Sequence, residues 1–352
     1  MAFDSFSDPF VRFALLTAAA ALLLSAATTL SIAVLRARFA LRARREARFT
    51  ARWRPLLLES VDAIPAHLPT VKRPDRFAFL SLWNHFQESL RGPARHRLSA
   101  IALRLRMDVA ARELLEGGGT RERLMAAVTL GQLGDADSWP ALEKLAAGAH
   151  SPLSLAAARA LMQIDAPRAL AVLLPDFTSR QDWPLARLQS ILAEAGPEAV
   201  SRPLSAAVDT TPPRELPRLI ALLDAADARV VSPKIRALLE SSRDEEVLAA
   251  CLKSRHVPRD RDLLLRFAQH ERWHIRTQAA RALGFAARPG DEKLLVSMLS
   301  DPVWWVRYRA AQALAGLPFL SRQDIWRLRL ALTDRFAQNV LDQVVAERTG
   351  GL

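Results

Sequence analysis

The chain is poor in several features that mark common protein classes. Its 352 residues include one cysteine, Cys251, so no disulfide can form within the chain. No segment alternates between apolar and polar residues as a half-buried strand does, which argues against a β-sheet domain. Half of the residues are hydrophobic, which excludes an intrinsically disordered chain. The sequence therefore predicts a folded, helical protein.

Positive charge is concentrated in one short segment. The net charge is +12, and residues 36–54 hold eight arginines against a single glutamate. More than half of the excess charge therefore lies within nineteen residues. Because the high pI describes mainly this segment, it gives little support to an extended nucleic-acid surface.

A sequence phrase recurs every 31 residues. Residues 276–284 (RTQAARALG) reappear as residues 307–315 (RYRAAQALA). At intervals of 30 or 31 residues towards the N-terminus, five further residue pairs occupy the position of Ala279-Ala280: Ala249-Ala250, Leu219-Ile220, Leu188-Gln189, Ala157-Ala158 and Ala126-Ala127. A fixed period in this range is typical of stacked supersecondary units. We therefore expect an all-α solenoid of about seven two-helix repeats over residues 120–320.

Helical segments are also expected on both sides of the repeats. Residues 61–119 should form an N-terminal cap with one helix near residues 77–90 and one near 98–115. An irregular connection rich in proline, from Pro55 to about Pro74, should precede it. Residues 321–352 should form C-terminal capping helices.

The repeated phrase resembles HEAT repeats, in particular the short bacterial type also found in phycobilisome-lyase-like proteins. The strongest matches are Arg276 and Arg307, and Arg123 has the same phase. The resemblance implies that such an arginine joins adjacent repeats by pairing with an acidic residue in the turn between them, here Asp301. The middle repeats depart from the pattern, since the arginine position holds Ser154, Leu185, Leu216 and Glu246.

One short string matches a catalytic motif. Residues 270–274 read H-E-x-x-H, which on a helix would place His270 and His274 on one face as zinc ligands, with Glu271 as base. The repeat register instead assigns these residues to a turn and the first helical turn of a unit, and Arg272 adds positive charge. We expect no metal, no cofactor and no enzymatic activity, with His270 and His274 as the candidate ligands if zinc is bound.

A tryptophan pair suggests a docking patch. Trp304 is expected in the core because its repeat equivalent is Trp273, whereas Trp305 is expected on the surface. Together with Arg309 it is a candidate partner contact.

The N-terminus has the pattern of a membrane anchor. Residues 13–35 contain no charge, and a helix of this length spans roughly 34 Å, enough for the hydrocarbon layer of about 30 Å. A cleaved signal peptide is the alternative, but the preceding residues are net acidic and the apolar run is too long. The positive-inside rule places residues 1–12 outside and the remainder in the cytoplasm of a bacterial inner membrane.

The segment after the anchor, residues 36–60, is basic and is expected to lie along the membrane surface. The candidate lipid contacts are Arg36, Arg38, Arg42, Arg44, Arg45 and Arg48.

Three functions are compatible with these features. The first is a membrane-anchored cytoplasmic scaffold for a protein partner, since solenoids present long surfaces. Membrane-anchored proteins similar to HEAT repeats suggest a membrane complex, such as a polysaccharide glycosyltransferase system. The second is nucleic-acid binding, and the third is an enzyme, either zinc-dependent or similar to a bilin lyase.

Overall fold

The computed structural model describes residues 9–349, which contain nineteen α-helices and no strand. Within that range, side chains are not described for Arg42 and a few other residues. The predicted outward tail, residues 1–12, lies outside the described residues apart from the helical backbone of residues 9–12. The all-α prediction is confirmed for the described part of the chain.

The chain divides into two compact units, with the boundary between Ser138 and Trp139. This boundary falls between the two helices of the first predicted repeat. The helices of the first unit are α1 Pro9–Glu59, α2 Arg76–Ser89, α3 Pro93–Arg104, α4 Met107–Gly117 and α5 Thr120–Leu133.

Helix α1 is one continuous helix of 51 residues. It continues past Pro55 to Glu59, so the expectation that Pro55 opens an irregular connection is wrong. Trp53 and Leu57, on either side of the proline, are buried, and the ring of Trp53 meets Phe79 of α2 at 5.0 Å between centroids. Packing near the end of α1 therefore outweighs the helix-breaking tendency of one proline.

The second cap segment is two helices instead of the one expected over residues 98–115. Helix α3 ends at Arg104 and α4 begins at Met107. Between them Arg106 has φ 57°, in the left-handed region. The sequence here has no glycine or proline, so the break follows from tertiary packing. Met107 and Ala110 at the start of α4, like Ile101 of α3, are buried.

The second unit is an alternating series of helices. Its members are α6 Trp139–Ala146, α7 Ser151–Ile164, α8 Ala166–Ser179, α9 Leu185–Ala195, α10 Pro197–Ala207, α11 Leu216–Leu222, α12 Ala228–Ser241, α13 Glu245–Lys253, α14 Arg261–Ala268, α15 Trp273–Ala286, α16 Glu292–Met298, α17 Trp304–Ala315, α18 Arg322–Ala331 and α19 Arg335–Thr349. The repeated pairs lie in α5 and in the odd-numbered helices α7 to α17, which are called the first helices; the even-numbered helices α6 to α16 are the second helices.

Small residues let the first helices approach closely. The pairs Ala157-Ala158, Ala279-Ala280 and Ala310-Ala311 have no exposed surface. The predicted pair Ala249-Ala250 in α13 is an exception, because it is only half-buried. The core of α13 is formed by Val247, Leu248, Cys251 and Leu252, so the buried pairs there are displaced by two residues from the predicted pair. The thiol of Cys251 is buried, and this burial raises its pKa to about 12.

The tightest approach joins α15 to α17. A Cβ atom added at Gly284 would lie 2.8 Å from the Cβ of Ala313 and 3.2 Å from its Cα. Because no pair of real Cβ atoms comes this close, a side chain at Gly284 would push the two helices apart.

Gly284→Ala is therefore expected to destabilise the second unit by about 1–2 kcal/mol, although alanine is the better helix former by about 1 kcal/mol. In the double variant Gly284→Ala/Ala313→Gly the Cβ contact is absent, so its loss of stability should be smaller than the sum of the two single losses. Chemical denaturation of the three variants measures this coupling. Strict additivity would contradict the close approach.

Candidate docking surface

An arginine tie joins the turns before α15 and α17. Arg276 of α15 donates from Nε to Asp301 Oδ2 at 2.7 Å and from Nη2 to Asp301 Oδ1 at 2.9 Å. Its Nη1 donates to the carbonyls of His270 and Glu271, both at 2.9 Å. The hydrogen bond to Asp301 raises the pKa of Arg276. The predicted pairing of Arg276 with Asp301 is confirmed, and its geometry is the bidentate form that arginine makes best.

The equivalent arginines make only part of this tie. Arg307 donates to the carbonyls of Asp301 and Pro302, at 2.8 and 3.3 Å, and Arg123 donates to the carbonyl of Leu115 at 3.0 Å. Among the described residues neither arginine has a carboxylate within ion-pair distance. The arginines at this repeat position therefore share one role, which is to donate hydrogen bonds to backbone carbonyls that precede their own helix.

In the divergent middle repeats the ties start from other positions. Arg180 donates to the carbonyls of Ala146 and Gly148, at 3.0 and 3.1 Å. Arg218 donates to the carbonyl of Phe177 at 2.7 Å. Sequence phase did not reveal these two arginines, because they lie outside the position shared by Arg276 and Arg307.

The H-E-x-x-H string does not form a helical metal motif. His270 lies in the turn between α14 and α15, where its Nδ1 accepts a hydrogen bond from the backbone N–H of Arg272 at 3.1 Å. His274 lies at the start of α15, with Nε2 at 3.3 Å from Glu245 Oε2. Over residues 9–349 no three His, Cys, Asp or Glu side chains are grouped to hold a metal ion.

Trp304 lies on the surface, contrary to the expectation that it belongs to the core. It is 39% exposed and Trp305 is 55% exposed. The buried positions of α17 are Val306, Ala310, Ala311 and Leu314, and Trp304 is off this stripe because it precedes Val306 by two residues. Its ring stacks on Tyr308 at 4.9 Å and meets Trp305 edge-on at 4.7 Å.

Tyr308 connects this aromatic group to the C-terminal helix. Its hydroxyl donates to Glu347 Oε2 of α19 at 2.7 Å, which raises the pKa of Tyr308 and lowers that of Glu347. Trp305 and Arg309 lie one turn apart on α17, and Arg309 Nη1 donates to Gln312 Oε1 at 2.8 Å. The structure therefore places both predicted contact residues on one accessible stripe.

Exposed aromatic rings are concentrated in the C-terminal part of the chain. Outside α1, those that the structure describes lie between residues 273 and 336: Trp273, Phe285, Trp304, Trp305, Trp326 and Phe336. The same part is basic, since residues 261–352 contain fourteen Lys and Arg against nine Asp and Glu. Aromatic residues with arginine are the composition typical of protein interfaces. Phe285, Trp326 and Phe336 were missed from sequence, because helical spacing alone does not separate exposed from buried rings.

A surface of different composition lies between two of the second helices. A groove of about 710 Å³ lies between α8 and α10 and is lined largely by apolar residues, including Leu174, Pro175 and Pro203. Its carboxylate, Glu215, accepts a hydrogen bond from the Thr178 hydroxyl at 2.8 Å. This groove is largely apolar, with Glu215 as its charged lining residue, in contrast to the arginine-rich C-terminal end.

Helix α1 exposes its apolar and basic parts alike. Its segment from Leu16 is long and apolar enough to cross a membrane, with a mean hydropathy of 2.1 over the best window and none of that window buried. This result rests on length and composition, and a signal sequence near the N-terminus meets the same criterion.

Most of the predicted lipid contacts are accessible. Arg36, Arg38, Arg44 and Arg48 are exposed, whereas the side chain of Arg42 lies outside the described residues. Arg45 differs from the others because its Nε is 2.7 Å from Asp75 Oδ1, which ties α1 to the 3-10 turn before α2.

The family comparison supports the repeat architecture in the C-terminal part of the chain. Residues 232–315, from within α12 to the end of α17, match the family of HEAT repeats. A chain in the complex of CpcE and CpcF of phycocyanin lyase from Nostoc sp. PCC7120 is similar, with 18% sequence identity and a TM-score of 0.27. The match covers 80% of this chain and 98% of that chain. No curated protein matches the sequence.

The expectation that the chain is not an enzyme is corrected by this structural match. That expectation rested on the repeats alone, since solenoids mostly present surfaces to partners. A solved structure to which the chain is similar comes from a lyase complex.

Arg276→Ala is expected to destabilise the second unit by about 2–3 kcal/mol, because it removes the charged partner of Asp301 and the donor of two turn carbonyls. The two charged side chains are only 14% and 10% exposed, so solvent screens the pair weakly. Thermal unfolding should show a Tm lower by about 5 °C.

Arg307→Ala is the matched control, because Arg307 has the same repeat phase and caps carbonyls without a carboxylate. Its effect should be about half as large. Equal losses in the two variants would show that the bond to Asp301 contributes nothing.

Proposed function

We propose that this chain is a single-pass inner-membrane protein whose HEAT-type repeats act in the cytoplasm as a docking scaffold for a protein partner. The observation that carries the proposal is the set of exposed aromatic rings, accompanied by arginines, at the C-terminal end of the repeats. Trp305 and Arg309 are the proposed contacts. Because the positive charge is not spread along the repeats, a protein surface fits this end better than a nucleic-acid backbone does.

The membrane part of the proposal is supported by α1. Its exposed apolar residues are followed directly by the exposed arginines Arg36, Arg38, Arg44 and Arg48. Basic residues are retained on the cytoplasmic side, and each one near an anionic leaflet contributes about 1 kcal/mol of attraction. The same helix continues into the first unit, where Trp53 and Leu57 are buried, so the anchor and the folded unit are joined without a flexible linker.

Tethering gives the scaffold its effect on a membrane partner. A docking surface held at the bilayer meets a membrane-bound partner at a high effective concentration, so that modest contacts suffice. A component of a membrane complex, such as a polysaccharide glycosyltransferase system, is the partner class that the resemblance to membrane-anchored HEAT proteins suggests.

The topology has a direct test. A green fluorescent protein fused after the last residue should fluoresce, and the fusion should stay in the membrane fraction after carbonate extraction. Alkaline phosphatase fused at the same position should be inactive, because it folds only outside the cytoplasm. Active phosphatase, or release of the fusion by carbonate, would contradict the proposed anchor.

Docking through the aromatic surface is tested by photo-crosslinking in cells. Benzoylphenylalanine at Trp305 is expected to give one discrete adduct with a membrane protein. The same probe at Val172, which is 43% exposed on α8, is the control and should give none. No adduct at Trp305, or the same adducts from both positions, would count against the proposed surface.

A further inference from the structure

Two pairs of side chains form a strip across the contact between α15 and α17. On α15, Arg281 lies one turn before Phe285, and its guanidinium carbon is 5.2 Å from the centroid of that ring. On α17, Trp305 lies one turn before Arg309. Residues four apart on a helix share a face, so each helix presents one arginine together with one exposed aromatic ring.

The two arginines flank the tightest contact of the repeats. Gly284 of α15 faces Ala313 of α17. Arg281 precedes Gly284 by three residues and Arg309 precedes Ala313 by four, so each arginine lies about one turn before the contact on its own helix. The two guanidinium groups are therefore neighbours over the line where the helices meet. Burial lowers the pKa of Arg281 and the charge of Arg309 lowers it further, while the charge of Asp224 opposes the shift.

Neither guanidinium forms an ion pair within the described part of the chain. Nη1 of Arg281 donates to the carbonyl of Lys253, and Nη1 of Arg309 donates to the amide oxygen of Gln312. The Nε of Arg309 is buried without a hydrogen-bond partner. By contrast, Arg272 forms an ion pair with Glu245, and Arg276 forms one with Asp301. Over residues 9–349 no ion pair involves Arg281 or Arg309.

Two adjacent, half-buried cations with no carboxylate within ion-pair distance are electrostatically unfavourable unless an anion joins them. The charge of the two arginines and the flanking aromatic rings indicate the chemistry of a ligand that would bind here. A carboxylate accepts hydrogen bonds from both guanidinium forks, and apolar side chains beside it pack on Phe285 and Trp305.

We propose that Arg281 and Arg309 bind a carboxylate of an acidic linear segment of the partner, with Phe285 and Trp305 holding apolar side chains on either side of it. This inference rests on the proposed docking function and names the chemistry of the partner. A nucleic acid is a poorer fit, because binding its backbone requires a row of cations, whereas this strip offers two between aromatic rings.

The test uses the full-length chain in detergent and fluorescence anisotropy at low salt. The probe is a short fluorescein-labelled peptide with glutamates around one phenylalanine, and the matched probe has glutamines in their place. We expect the acidic peptide to bind and the glutamine peptide to bind at least about ten-fold more weakly. Binding of the acidic peptide should fall at least about ten-fold in Arg281→Gln/Arg309→Gln, since the loss of one charge-assisted bond already costs roughly that much.

Matched variants separate the site from overall charge. Arg322→Gln removes an exposed arginine of α18 and should leave binding unchanged, whereas Phe285→Ala should weaken it while leaving both charges in place. Circular dichroism and the Tm confirm that each variant is folded.

Equal binding of both peptides, or equal loss in Arg322→Gln, would overturn the inference. Tighter, arginine-dependent binding of oligothymidylate or of phosphatidylglycerol vesicles would overturn the choice of an acidic peptide. If the peptides do not bind as expected but the probe at Trp305 gives a discrete adduct, only the acidic segment is rejected. If the probe gives no adduct, the docking function itself is rejected.

Discussion

The close packing of successive first helices is the constraint on which the rest of the second unit depends. The pairs Ala279-Ala280 and Ala310-Ala311 are fully buried, and Gly284 leaves no room for a Cβ beside Ala313. Small residues on these faces set the spacing, and the spacing fixes which larger side chains are left at the edge. The tryptophans of α15 and α17 stay exposed, and Arg281 and Arg309 stay half-buried, because the shared face has room only for small residues.

Arginine ties then fix the turns between the packed helices. Arg276 joins two turns through Asp301 and two carbonyls. In the middle repeats Arg180 and Arg218 bind carbonyls from different positions. Turn carbonyls with no partner in their own helix need donors, and arginine supplies several from one side chain. The repeats can therefore diverge in sequence while each turn keeps its donor.

Sequence periodicity predicted the helical fold, because small residues recur with the repeat, and the resemblance to HEAT repeats implied the bond between Arg276 and Asp301. It did not predict the helical path of α1 past Pro55 or the break at Arg106, since both depend on packing between distant segments. The exposure of Trp304 was also missed, because position in a repeat does not show on which side of a helix end a ring lies. Arg281 was missed as well, since the juxtaposition with Arg309 exists only between packed helices.

The proposed function depends on the same geometry: if α15 and α17 pack as one body, the aromatic and arginine strip is a fixed surface. Amide hydrogen exchange of the full-length protein in detergent tests this most directly. The amides in the middle of α15 and α17 should exchange slowly and at a common rate, through opening of the packed pair, whereas α18, which has no buried residue, should exchange much faster. Fast or independent exchange of α15 and α17 would contradict the account.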